Sequence, residues 1–140
     1  MEAHVTGTSR SPAQLYALIF GAVLTIAGII GFFYNSEFTS NKAVHDAVFG
    51  VFDVNGWHNL VHILIGLLLL ACAGSAARSA ALGVGLLYLV LAIWGFAESD
   101  NVILGLVPVN TEDDVLHLIL GLVGLAAGAA SPATGRPATA

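Results

Sequence analysis

Charge is what this sequence has least of. Only four of its 140 residues are Lys or Arg and nine are Asp or Glu, against 57% hydrophobic residues. Charged residues make up about 25% of an ordinary soluble domain, so a water-facing surface is excluded and an integral membrane protein is expected. Four cations are too few for a basic face on nucleic acid, which removes that partner. A single cysteine, Cys72, rules out an intrachain disulfide and a zinc–thiolate cluster, and its apolar neighbours make it a small filler. Also missing are a nucleophile elbow, a P-loop, a dinucleotide fingerprint and a His-Glu-x-x-His helix. With no extramembrane domain to hold a large substrate, the chain leans away from catalysis.

What the sequence does have is apolar runs. A hydrocarbon core of roughly 30 Å needs about 20 helical residues, and such runs fall near residues 14–33, 57–76, 80–97 and 114–130. The expected fold is all-α: a four-helix transmembrane bundle occupying 14–130, with a cytoplasmic tail over 1–13 and a disordered tail over 131–140. The single Arg10 is a weak n-region, and no small-x-small cleavage site follows residue 33, so the first run is read as a span. Arg10, Arg78 and Arg136 lie on one side of a four-span chain and Lys42 on the other. The positive-inside bias then places both termini of this multi-pass chain in the cytoplasm. Eight of the nine acids face outward, making that mouth attractive to cations. Residues 42–49 are expected to form a short surface helix.

An internal repeat organises these runs. At an offset of 55, residues 49–74 align on 104–129 without a gap, pairing Gly50 with Gly105, Asn55 with Asn110, His62 with His117 and Gly66 with Gly121. The odd-numbered runs match more weakly at an offset of 64, through Phe20-Gly21 with Val84-Gly85 and Gly31-Phe32 with Gly95-Phe96. Two parallel two-helix repeats, about 14–76 and 80–130, follow, related by an axis along the membrane normal. Gly21, Gly28, Gly31, Gly83, Gly85, Gly124 and Gly128 are expected where helix backbones approach closely.

Each repeat opens its second helix with the same polar motif, Val54-Asn55-x-x-His58-Asn59-x-x-His62 and Val109-Asn110-x-x-Asp113-Asp114-x-x-His117. Asn55 and Asn110 are positioned as helix N-caps. His58 with His62, and Asp113 with His117, are four apart and share a helix face. If those faces meet, His58, His62, Asp113 and His117 form a metal site near the outer face for zinc, iron, copper or manganese. Asn59 and Asp114, about 100° around each helix, are then candidates to hold a ring nitrogen. The plain alternative gives Asp113 to the helix dipole and a capping box and the histidines to helix-packing hydrogen bonds. A b-type haem held by His62 and His117 is a lesser alternative. The runner-up to the metal site is a non-catalytic accessory or scaffolding subunit of a larger membrane complex, with a membrane protein or another copy of the chain as partner.

The chain resembles an uncharacterised family of small four-span bacterial membrane proteins, classed as a domain of unknown function. The resemblance covers about 15–130, through Leu15-Tyr16-Ala17-Leu18-Ile19-Phe20-Gly21, Phe52-Asp53-Val54-Asn55-x-x-His58-Asn59-Leu60-Val61-His62, and Gly105-Leu106-Val107-Pro108-Val109-Asn110 with Asp113-x-x-x-His117. It implies the four-span fold and carries no established activity. Asp114 stands where the first copy has Asn59, which makes the second motif more negative.

Overall fold

The computed structural model describes residues 9–38 and 46–133. Four helices fill them: α1 (Pro12–Tyr34), α2 (Gly56–Cys72), α3 (Ala77–Ala97) and α4 (Thr111–Ala129). The fold is an all-α bundle in which α1 packs chiefly on α2 and α3 chiefly on α4. Two helices, α1 and α3, are long and apolar enough to cross a membrane. Helix α2 is equally apolar in character but only 17 residues long, and α4 carries Glu112, Asp113 and Asp114 in its first turn.

Small residues set the helix spacing. Gly21 of α1 meets Gly66 of α2, where a methyl on Gly66 would come within 2.7 Å of the Gly21 carbonyl. Gly85 of α3 meets Gly121 of α4 in the same manner, each carbonyl 3.0 Å from a methyl on the other. Small residues at such contacts let the helix backbones approach closely and pack. Gly83, expected to do likewise, faces open space. Tyr16, Leu24, Leu69, Val84, Tyr88 and Leu120 fill the interior between the two pairs, and Tyr16 Oη donates to the Leu120 carbonyl at 3.1 Å. Outward-facing Ile19, Ile26, Leu64, Leu86, Ile93 and Ile119 are each at least half exposed, an apolar belt that suits a membrane rather than water.

The bundle is pinned at the α1 start. Ser11 caps α1 in a capping box with Gln14. Ser131, expected in a disordered tail, is buried: its Oγ accepts from Ala13 N and donates to Ala127 O, both at 2.8 Å, and Arg78 Nε donates to its carbonyl. Only 9–13 and 131–133 of the two expected tails are among the described residues.

At the opposite end sit two small hairpins that the hydropathy pattern does not predict. Strands β1 (Ala47–Val48) and β2 (Phe52–Asp53) pair antiparallel, as do β3 (Val102–Ile103) and β4 (Val107–Pro108). The first replaces the short helix expected over 42–49, of which 42–45 lie outside the described residues. Its turn puts Phe49 at φ 56 and Gly50 at φ 72, and the second puts Leu104 at φ 56 and Gly105 at φ 69. Left-handed backbone of this kind ends any helix at once and suits glycine. The Phe-Gly and Leu-Gly pairs, flanked by apolar and β-branched residues, were the available signal.

Candidate metal centre

Each hairpin runs straight into the first turn of a helix. Asn55 caps α2, its Oδ1 accepting from His58 N at 2.9 Å. Asn110 caps α4, its Oδ1 accepting from Asp113 N at 2.9 Å. An extended cap residue followed by helix fixes where the next two turns point. One turn further on, residues 62 and 117 lie on the same faces as 58 and 113.

Across the bundle these faces converge. The ring centroids of His58 and His62 are 4.4 Å apart, and His117 lies 6.3 Å from both. One nitrogen from each of the three rings falls within 4.8 Å of the other two. His58 and His117 are buried, and the buried Tyr88 packs its ring 5.1 Å from His117.

Hydrogen bonding fixes the protonation pattern of His58. Its Nδ1 lies 3.0 Å from the Pro108 carbonyl of β4, and a carbonyl oxygen only accepts, so Nδ1 carries the proton. The ring is also bonded by the Asp53 backbone, and its Nε2 lies 3.2 Å from His62 Nε2. Two imidazole nitrogens can sit that close if one donates to the other or if both face a shared electrophile. His117 Nδ1 is buried without a hydrogen-bond partner, which marks a second nitrogen awaiting one.

The donor–acceptor logic continues at Asp113. Its Oδ2 accepts from Asn110 N at 3.3 Å to complete a capping box, and the Asp53 backbone of β2 bonds the same carboxyl. Residues 58 and 113 thus each meet the strand of the other hairpin. Pro108 has no N–H to give, and the residue facing it is a donor. The Asp53 backbone serves both residues, bonding the His58 ring as well as the Asp113 carboxyl. The Asp113 carboxyl is thus engaged by backbone donors, and among the described residues the close metal-ligating cluster is His58, His62 and His117.

Asn59 and Asp114 face away from the rings. Asn59 Nδ2 donates to the Asn35 carbonyl at the end of α1, at 2.8 Å, and its Oδ1 presses on Gly31, where any Cβ would collide with it. Asp114 Oδ1 presses in the same way on Gly95 of α3. These two residues join helix pairs; the expected role beside a ring nitrogen falls to the Pro108 carbonyl instead.

These features define an all-α bundle, with two helices apolar enough to cross a membrane and a histidine cluster beside paired hairpins. Among known families, the DUF4383 domain of unknown function matches residues 14–130. The chain belongs to that family. No curated protein and no solved structure matches it.

Proposed function

We propose that the chain is a four-span membrane protein, built from two parallel copies of one helix-pair unit, that binds a divalent metal ion through His58, His62 and His117. The observation that carries this reading is the 3.2 Å approach of two imidazole Nε2 atoms when the other nitrogen of His58 is already bonded to a carbonyl. Zinc–nitrogen bonds of about 2.0–2.1 Å in tetrahedral geometry set two ligand nitrogens about 3.3 Å apart. A ring nitrogen held by a backbone carbonyl is also the usual support of a metal-bound histidine. His117 completes three protein ligands, and three ligands leave one position open.

The repeat reading draws support from contacts that recur at the sequence offsets, Gly21 on Gly66 with Gly85 on Gly121, and Gly31 under Asn59 with Gly95 under Asp114. An even number of spans places both termini on one side. A small ion fits better than haem, because His58 and Tyr88 pack against the His62 and His117 rings where a macrocycle would lie. The role that follows is binding or sensing of a metal rather than catalysis by the protein.

The test is equilibrium dialysis of the detergent-purified protein against zinc, iron, copper and manganese, with His62→Ala and His117→Ala beside the wild type. Both variants are expected to lose the ion together. Full metal retention by either one would sink the three-histidine site.

A further inference from the structure

A cavity of about 350 Å³ opens beside the histidines at the seam of α1 and α4. Its walls are apolar, from α1 (Ala27 and Ile30 among them), Leu116 of α4 and the first hairpin (Val48, Phe49 and Phe52), and its polar groups come from His58, His62 and Asp113. Wall residues Val23, Ile26 and Leu116 are also exposed on the outside of the bundle, so the opening faces the apolar belt rather than the hairpin end alone.

The cavity is a departure from the likeness between the two helix pairs. At the offset of 64 that matches Gly21 with Gly85 and Gly31 with Gly95, Ala27 corresponds to Leu91 and Ile30 to Trp94. Larger side chains stand on α3 where α1 leaves room. Two wall positions of α1 thus carry smaller side chains than their α3 counterparts, along helices that otherwise make the same glycine contacts.

Size, polarity and charge specify an occupant. A cavity of about 150 Å³ holds benzene, so this one accommodates a body of about two rings. An alkyl chain would set hydrocarbon against the polar end of the cavity, where, among the described residues, His62 has only the His58 ring as its hydrogen-bond partner. A carboxylate headgroup would find no Lys or Arg among the described wall residues, and burying an unpaired charge is costly, which disfavours a fatty acid. What remains is a neutral molecule with one oxygen to bond the polar end.

We propose that this cavity binds a neutral, lipid-soluble ring compound of the naphthol or naphthoquinone type, with its hydroxyl or carbonyl oxygen toward His58, His62 and Asp113. The site shares His58 and His62 with the metal reading, and an oxygen there would also lie beside the open coordination position. Its existence depends on the cavity and not on the ion.

The test measures saturable binding of 1-naphthol to the full chain in detergent, against empty micelles, with naphthalene and 1-naphthoic acid as comparison probes. Ala27→Leu and Ile30→Trp copy the α3 residues into α1 and leave every histidine in place. Wild type should bind 1-naphthol at least tenfold more tightly than either comparison probe, and each filled variant should lose at least tenfold while keeping wild-type metal content. Binding no better than to empty micelles, equal binding of naphthalene, or unchanged naphthol binding in both filled variants would overturn the proposal. Naphthol binding that the filled variants abolish, in a wild type that takes up no metal, would support the cavity and overturn the metal centre alone.

Discussion

Asn55 and Asn110 each serve two helix pairs at once. With Oδ1 each caps its own helix. With Nδ2, Asn55 donates to the Leu106 carbonyl and Asn110 to the Val51 carbonyl, both at 2.7 Å. Each cap therefore holds the turn of the opposite hairpin, and together they strap the two halves over the histidines.

That double duty predicts graded losses. Asn55→Ala removes a cap worth about 1 kcal/mol and a cross-hairpin bond worth about another 1 kcal/mol. Asn55→Ser keeps a good cap but is too short to reach Leu106, so it should cost about half as much. Denaturant unfolding in detergent checks the order, and equal losses for the two variants would show that the strap contributes nothing.

The glycines separate by what lies against them. Gly31→Ala and Gly95→Ala force a methyl into Asn59 and Asp114, and such overpacking costs about 1–3 kcal/mol. Gly83→Ala meets open space within α3 and should be neutral or stabilising by up to about 1 kcal/mol. Thermal unfolding of the three variants decides this. A destabilised Gly83→Ala would place an unseen neighbour at that face.

The two nitrogens of His58 can be tested apart. In His58→Asn the amide Nδ2 stands where the ring Nδ1 donates to Pro108, while the nitrogen facing His62 is gone. Stability should stay within about 1 kcal/mol of wild type, and metal affinity should fall by about 10-fold or more. His58→Ala should lose both, because the buried Pro108 carbonyl is then left without its donor. If His58→Asn keeps full metal affinity, the ion is not held through Nε2.

Much of this site was legible because helix periodicity and the 55-residue offset act on side chains. Asn55 and Asn110 precede apolar runs and so announce caps, and His62 and His117 follow at one-turn spacing. The hairpins were not legible, since strands of two residues have too little alternation to read and depend on the left-handed backbone at Phe49-Gly50 and Leu104-Gly105. That gap hid the strand backbone facing residues 58 and 113. Without Pro108 and Asp53 in place, nothing in the pattern tells Asp113 the backbone acceptor from Asp113 the metal ligand. Nor does hydropathy distinguish Ala27 from Leu91, although the cavity turns on that difference in volume.

Elemental analysis of the detergent-purified protein for zinc, iron, copper and manganese, normalised to protein and repeated after loading with each ion, addresses the three-histidine centre most directly. The expected result is close to one ion per chain, lost on replacement of His62 or His117. A protein that takes up none of the four ions under any loading condition would contradict the metal centre and return the His58–His62 contact to a hydrogen bond between packed helices.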